Sequence, residues 1–386
     1  MPNKNNLDVV EGYREAQETI KHLSPYGVDY STAGRDTQNL INRYHPKRLQ
    51  LRLSEIIDES PSTKTLRLVS QDGYLPPFQA GQYINLFVTI DGVHSSRPYA
   101  ISSSPWERGH YDLTIKNMPQ GFVSPYLTTQ VTPGQHFEST GPMGSFYYNP
   151  LFHGNNLVFL AGGSGITPAM SMIQDLIVCN DKRHLHIIYG SRGPQDVIFH
   201  QALDRFAALH NCVSVSHVFS EPPEDYTGER GFVTAELIER LTGKPEGKTY
   251  YICGPQIMNE FCRAQLSKLG ALPRQVRVEA NGPPARPESR PGWPDKLSPD
   301  TEVTVTVKGD KSFRSRTGEP LLNAMERNGI NVEAACRSGE CSMCRVKVER
   351  GAVFEPTEAH LRKTDSHYGY THACVCYPTE DIEISI

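Results

Sequence analysis

No apolar run in this sequence approaches the roughly 18 residues that a membrane-spanning helix requires. The first residues, MPNKNNLDVVEGYREAQ, lack the apolar stretch of a secretory signal, so the expectation is a cytoplasmic protein with no membrane contact. An excess of charge is missing too. The 39 basic and 43 acidic residues leave a formal charge of -4, which argues against nucleic acid or an anionic membrane as partner. Internal repeats are absent, which excludes a solenoid. Nine cysteines is an odd count, which excludes a fully paired disulfide framework. What remains is ample for folding. With 38% hydrophobic and 21% charged residues over 386 positions, the chain can bury two or three cores, and wholesale disorder is excluded.

Residues 1–48 are polar and weakly patterned. One helical stretch, Gly12 to Leu23, sets Tyr13, Ala16, Ile20 and Leu23 on one face, as in an N-terminal extension packed on the body of the protein. From 49 to 150 the segments LQLRLSEII, TKTLRLVS, QYINLFVTI and YDLTIKN run apolar or alternate between Gly, Pro and Asp breaks, the pattern of a small antiparallel barrel. From 151 to 281 the rhythm changes. Buried-strand segments LVFLAGG, HLHIIYGS, SVSHVFS and KTYYICG are interspersed with helical ones, PAMSMIQDLI, HQALDRFAAL, TAELIERL and IMNEFCRAQLSKLG, which predicts a parallel sheet with ligands at the carboxyl ends of its strands. Residues 282–300 hold six prolines and no periodicity, a semi-rigid linker. Residues 301–386 open on a hairpin, continue into the helix PLLNAMERN stopped by Gly329, and close on the strand-like DIEISI.

Three motifs carry chemistry. Cys336, Cys341 and Cys344 form C-x4-C-x2-C, and Cys374 follows after 29 intervening residues. This is the plant-type spacing for a 2Fe–2S cluster, in which two irons share four thiolates and a close-wrapping loop supplies amides to the sulfurs. Arg337-Ser338-Gly339-Glu340 is that loop, with Gly339 giving backbone freedom. A structural zinc site or unmetallated thiols are the alternatives, although zinc favours other spacings. Cys376 is the rival fourth ligand; the spacing prefers Cys374.

The second motif is Gly162-Gly163-Ser164-Gly165-Ile166-Thr167-Pro168, which turns the apolar strand Leu157–Ala161 into a helix, with Thr167 at the cap and Pro168 at the first helical position. Amides at such a turn can hold a pyrophosphate, although any tight strand–helix turn might use the same glycines. Two further strand ends carry Tyr189-Gly190-Ser191-Arg192 and Tyr251-Ile252-Cys253-Gly254-Pro255. The third motif is Arg97-Pro98-Tyr99-Ala100-Ile101-Ser102-Ser103. Residues two apart on an extended chain share a face, so the Arg97 guanidinium can take a phosphate while the Tyr99 ring lies on a planar ligand. The plain alternative is a surface arginine beside a core tyrosine.

The cysteine spacing resembles plant-type ferredoxin domains, and the other motifs resemble the ferredoxin–NADP reductase superfamily, in the arrangement of reductases that carry their ferredoxin at the carboxyl end, phthalate dioxygenase reductase among them. The resemblance covers roughly residues 49–386. It implies a multidomain β and α/β protein: an antiparallel FAD-binding barrel over 49–150, a parallel-sheet NAD(P)-binding domain over 151–281, and a β-grasp 2Fe–2S ferredoxin over 301–386. The superfamily's flavin signature R-x-Y-[S/T] maps to Arg97, Pro98, Tyr99 and Ala100, with Ser102 and Lys116 nearby. Its G-x-x-S, a pyrophosphate-binding turn that favours FAD over FMN, maps to Gly121, Val123 and Ser124, and a further piece that fits the resemblance is Gly141-Pro142-Met143-Gly144-x-Phe146. For the nicotinamide the resemblance implies Gly162, Gly163, Gly165, Thr167, Pro168, Ser191, Arg192, Cys253, Gly254 and Pro255, with Cys253 against the ring.

Two departures stand out. Ala100 occupies the position of the hydroxyl that reaches flavin N5 in the superfamily. The superfamily acid near the end of the nicotinamide domain maps loosely to Glu279, because Asn281 stands where an aromatic is usual. Tyr99, Cys253 and Glu279 are therefore the implied catalytic residues. Glu221, Glu224 and Asp225 follow the next strand and no second basic residue joins Arg192, so NADH is favoured over NADPH. The function implied is an NAD(P)H-dependent reductase that passes hydride to FAD and single electrons through the 2Fe–2S cluster to a protein acceptor such as an oxygenase or other metalloenzyme, with Arg337, Glu340 and Arg345 near the cluster rim as candidates for docking it. A self-sufficient diaphorase and a non-catalytic redox sensor are the competing readings.

Overall fold

The computed structural model describes residues 11–23, 40–41, 47–119, 121–180, 182–279, 282–284, 286–357, 359 and 361–386. The chain forms two compact units, Met1–Lys47 and Arg48–Ile386. In the first, α1 (Tyr13–Leu23) forms where the spacing places it, but none of its residues is buried, and Ile20 and Leu23 stand 62% and 56% exposed.

The second unit begins with six strands, β1 (Leu49–Ser60), β2 (Thr63–Ser70), β3 (Tyr83–Ile90), β4 (Val93–Ala100), β5 (Tyr111–Lys116) and β6 (His136–Ser139), with α2 (Ser124–Thr129) between the last two. They form one antiparallel sheet in the order β4-β3-β6-β1-β2-β5. A bridge between Ile101 and Leu113 joins its two ends and closes the barrel. Alternation drives it: Leu51, Leu53, Leu66, Leu68, Ile84, Leu86 and Leu113 all point into one core and are fully buried. The β3–β4 hairpin turns at Asp91-Gly92, both at positive φ (49° and 79°), as a two-residue primed turn requires. Arg97 to Ala100 of the flavin-type motif end β4, and Ile101 to Ser103 follow it.

Next come β7 (Asn156–Gly162), α3 (Thr167–Cys179), β8 (His184–Ser191), α4 (His200–Leu209), β9 (Val213–Phe219), β10 (Glu229–Arg230), α5 (Ala235–Thr242), β11 (Lys248–Cys253), α6 (Gln256–Lys268) and β12 (Val276–Val278). The sheet runs β10-β9-β8-β7-β11-β12, every pair parallel. Strands buried on both faces explain the continuous apolar runs. Phe159, Ile187 and Tyr251 pack against α3 and α4, while Val158, Leu160, Ile188 and Ile252 pack against α5 and α6. Strand order reverses at β7, which gathers the ends of β7, β8 and β11 into one crevice, the usual place for a ligand in such a sheet.

The carboxyl-terminal part holds β13 (Glu302–Val307), β14 (Ser312–Arg316), α7 (Leu321–Arg327), β15 (Arg345–Arg350), β16 (Val353–Phe354), α8 (Lys363–His367), β17 (Tyr370–His372), β18 (Tyr377–Pro378) and β19 (Ile382–Ser385). Its main sheet is β14-β13-β19-β15-β17, with β13 and β19 parallel, and α7 supplies Leu321, Leu322, Ala324 and Met325 to the core. The proline-rich segment is laid down on this part rather than left loose. Trp293 packs edge-on against Phe354 and Tyr377, and the Tyr377 hydroxyl donates to the Pro284 carbonyl at 2.9 Å.

Candidate redox site at the three-part junction

The Cys336 sulfur accepts backbone N–H groups from Ser338 (3.4 Å), Glu340 (3.3 Å) and Cys341 (3.4 Å). The loop achieves this by placing Arg337, Gly339 and Ser342 at positive φ, of which only Gly339 is a glycine. Thiol hydrogen bonds from Cys341 and Cys374, ahead of the loop amides, hold the Cys336 thiol far below its usual range; Cys344 is lowered chiefly by Cys374. The four thiols of Cys336, Cys341, Cys344 and Cys374 therefore share one compact space. Cys376 is fully buried, its thiol pushed up by burial. Four converging sulfurs with amides aimed at them fit an iron–sulfur cluster.

Around β7 the glycine-rich loop and the β11 end touch. Cys253 pairs with Ala161 across the sheet, and a Cβ added at Gly165 would sit 2.0 Å from the Cys253 carbonyl oxygen, so no larger residue fits. Gly163 has φ +53°, and the Lys116 amine, from the barrel, lies 3.8 Å from where its Cβ would be. Tyr189 donates its hydroxyl to the Gly163 carbonyl at 2.8 Å, fixing the loop from behind. The expected cap differs: Ile166 precedes the helix without a side-chain bond, and Thr167, already in α3, donates its hydroxyl to the Ser164 carbonyl at 2.7 Å. Gly163–Ile166 form a tight 3-10 turn that leaves no cap for Thr167 to supply. Arg192 is 69% exposed and sits 3.5 Å from Asp196, with the Glu221 backbone bonded to its carbonyl.

On the barrel, Arg97, Pro98, Tyr99 and Ala100 are half-buried along the edge strand β4. Arg97 donates to the Ser95 hydroxyl and the Ser96 carbonyl, each at 2.7 Å. Its pKa is lowered to about 10 by burial, then by Arg337, with Glu326 opposing. Two guanidiniums around one carboxylate leave a buried surplus of one positive charge, a setting that fits a flavin phosphate. Ser102 does not face outward: its hydroxyl donates to the Asp112 carbonyl (3.1 Å) and shares a bond with Thr114 (2.9 Å). Ser124 accepts from the Met118 N–H at 3.1 Å, and Gly121 is so close that an added Cβ would lie 2.9 Å from that hydroxyl. Val123 is buried beneath the turn.

Glu279 extends β12 with its N–H on the Ile252 carbonyl (3.0 Å), which sets it beside Cys253. Burial, then Glu340 and Cys336, pushes its carboxyl up to about 8. Tyr83 of the barrel is raised by burial and then by Cys336, Cys341, Glu279 and Glu340. Three distant stretches of sequence thus meet at one junction. Asn281 lies outside the described residues.

The residues that join barrel and cluster loop carry no signal in the sequence. Glu326 of α7 takes the Ser95 hydroxyl at 2.9 Å and pairs with Arg337, which also reaches Ser95 (3.3 Å) and Asn323 (3.2 Å). Arg337 is therefore not a docking residue on the rim. It is buried because an ion pair satisfies it inward. Arg345 pairs with Asp365 at 2.9 Å and lies over the Tyr370 ring, while Glu340 is exposed.

Fold and site together define a flavin- and nicotinamide-dependent reductase fused to a 2Fe–2S ferredoxin. Family matches agree: an oxidoreductase FAD-binding domain over residues 50–148, an oxidoreductase NAD-binding domain over 159–264 and a 2Fe-2S iron-sulfur cluster binding domain over 305–379. The chain is 30% identical to NADH-cytochrome b5 reductase 1 of Dictyostelium discoideum over 61% of its length and 82% of the relative's. It is 28% identical to the glycine betaine monooxygenase reductase subunit of Pseudomonas aeruginosa, over 90% of this chain and 97% of that one. The NADH oxidoreductase HCR of Escherichia coli is 29% identical over 88% and 98%. In fold it matches phthalate dioxygenase reductase with TM-score 0.65 and 21% identity, covering 88% of this chain and 98% of that one. The chain belongs to the ferredoxin–NADP reductase superfamily, with a carboxyl-terminal 2Fe–2S domain. It is an NAD(P)H-dependent flavin and iron–sulfur oxidoreductase that works by electron transfer. Among the described residues no helix is long and apolar enough to cross a membrane.

Proposed function

We propose that this chain is the reductase component of an oxygenase system, drawing electrons from NADH and delivering them singly to a separate oxygenase protein. The observation that carries this reading is the junction of Tyr83, Glu279 beside Cys253, and the four-cysteine loop, supported by the glycine betaine monooxygenase reductase relatives. The domain division proposed is 1–48, 49–150, 151–281, a linker over 282–300, and 301–386. Bound FAD would supply the conversion between the two-electron hydride chemistry of the nicotinamide and the single electrons a cluster carries.

The chain's residues supply position and charge. Arg97 and the Gly121–Ser124 turn hold the flavin phosphates, with Lys116 reaching towards the glycine-rich loop from the opposite side. Tyr99 lies against the flavin ring. Ala100 offers no hydroxyl and Ser102 is committed inward, so a backbone amide takes the contact made by Ser or Thr in the superfamily. Gly162, Gly163, Gly165, Thr167 and Pro168 let the dinucleotide approach α3, and Cys253, Gly254 and Pro255 face its ring. Glu279 holds a proton at its carboxyl beside that ring. Ser191 and Arg192 reach the adenosine end. With Arg192 already beside Asp196, and Glu221 next to it, a ribose hydroxyl is favoured over a 2′-phosphate, hence NADH. Cys336, Cys341, Cys344 and Cys374 bind the cluster. The test is NADH-driven turnover of a purified oxygenase component in the presence and absence of this chain. Turnover only in its presence is expected; rapid NADH oxidation with a small quinone and none with any oxygenase would favour the diaphorase.

A further inference from the structure

A second cluster of metal-binding side chains lies in the nicotinamide domain, away from every cysteine of the junction. His200 opens α4 directly after Phe199, which takes φ +61° and so sets the angle at which the helix leaves the loop. Asp204 follows one helical turn later on the same face. His217, on the adjoining strand β9, points to that face. Its Nε2 is 3.1 Å from Asp204 Oδ1, and His200 Nε2 is 3.5 Å from Asp204 Oδ2. The two imidazole rings meet edge to face, 5.0 Å apart. One ligand atom from each of the three residues lies within 4.8 Å of the others.

We propose that His200, Asp204 and His217 form a binding site for a borderline divalent transition ion, of which Zn2+ is the type. Zinc bonds to nitrogen and oxygen are about 2.0–2.2 Å, so tetrahedral ligand atoms stand roughly 3.3–3.5 Å apart; His200 Nε2 is already at that distance from Asp204 Oδ2 (3.5 Å), and His217 Nε2 is 3.1 Å from the other oxygen, Oδ1. Two imidazoles and a carboxylate are the donors that select zinc, nickel or copper over calcium or magnesium, which prefer oxygen alone. The set is also prearranged. His200 and Asp204 are fixed one turn apart by α4, and the His217 side chain is only 14% exposed, held by the Tyr226 hydroxyl on its carbonyl at 3.1 Å. His200 and Asp204 are open to solvent at 42% and 58%, which gives the ion a path in and leaves its fourth position to water. An ion here ties the first turn of α4 to β9.

The test is calorimetric titration of the cofactor-loaded, chelator-washed full chain with zinc chloride, with flavin and cluster absorbance followed in parallel. One ion per chain is expected to bind with the visible spectrum unchanged and the thermal midpoint raised. Asp204→Asn and His200→Gln, both at exposed positions, are expected to lose at least tenfold in affinity and to lose the zinc-dependent rise in midpoint. His184→Gln, exposed in the same domain and outside the cluster, is expected to bind as the parent does. No stoichiometric binding to the parent chain, equal binding in all variants, or binding that bleaches the cluster would each overturn the proposal; the first two would leave the three residues as a hydrogen-bonded ion pair.

Discussion

The barrel meets its two neighbours through seams of opposite character. Towards the ferredoxin part the contact is ionic and buried: Arg97 and Arg337 flank Glu326, Ser95 sits in their midst, and Ser96 donates to the Ala334 carbonyl at 3.3 Å. Towards the nicotinamide part it is largely neutral. Ser171 donates to the Ser103 carbonyl and Gln174 to the Ser102 carbonyl, both at 2.8 Å, while Phe146 packs edge-on against Phe159 and Tyr251. The difference follows from what each side exchanges. A nucleotide has to enter and leave, so apolar packing with a few backbone acceptors suffices. A cluster loop has to stay at a fixed separation from the flavin, and a buried charge triad has few alternative geometries.

The largest effect should come from removing the cluster. Cys341→Ser is expected to abolish the reduced-cluster EPR signal and all delivery to a protein acceptor, while NADH-driven dye reduction persists; loss of both would show that the parts do not act separately. Next is the ionic seam. Glu326→Ala leaves two buried guanidiniums facing each other, at a cost of about 3–5 kcal/mol, and should slow flavin-to-cluster transfer in stopped flow at least tenfold. The matching change on the neutral seam, Gln174→Ala, should cost only about 1 kcal/mol. Equal losses in thermal unfolding would erase the contrast drawn here.

A third test is acid–base. Glu279 has a folded pKa of about 8, above its unfolded value, so its contribution to stability is complete below the ordinary carboxylate range and is lost as pH rises through 8. Glu279→Gln should remove that loss and also the break near 8 in the pH profile of kcat/KM for NADH. The smallest effect sharpens the nucleotide choice. Asp196→Ala removes the carboxylate beside Arg192 and should improve NADPH use by roughly two- to fivefold, a change worth under ~1 kcal/mol for an exposed charge, measured as the ratio of kcat/KM for the two nucleotides.

Much of this molecule is legible in its sequence because its motifs are local. Cys336, Cys341 and Cys344 sit on one loop, and Gly162 to Pro168 on one turn, so spacing alone carries their geometry. The β11 end at Cys253 is less readable, since a buried strand cysteine is ordinarily core and only the family resemblance gives it a role. The ionic seam is not local. Glu326 occurs in PLLNAMERN, where a glutamate reads as a solvated helix face, and its partners are 231 residues earlier at Ser95 and 11 later at Arg337. Arg337 beside a ligand cysteine looks like a surface charge until the fold turns it inward. Ser102 follows the flavin motif in sequence, yet strand alternation and the Thr114 hydroxyl draw it into the barrel wall. Trp293 in the proline-rich segment gives no periodic signal, because a single aromatic anchor has no period.

A single electron path runs from nicotinamide through flavin to cluster. Anaerobic titration with NADH and then NADPH, read by visible absorbance and low-temperature EPR, tests it most directly. Bleaching of the flavin band by NADH together with a rhombic reduced 2Fe–2S signal is the expected result. A flavin that bleaches while the cluster stays oxidised, or no response to either nucleotide, would contradict it.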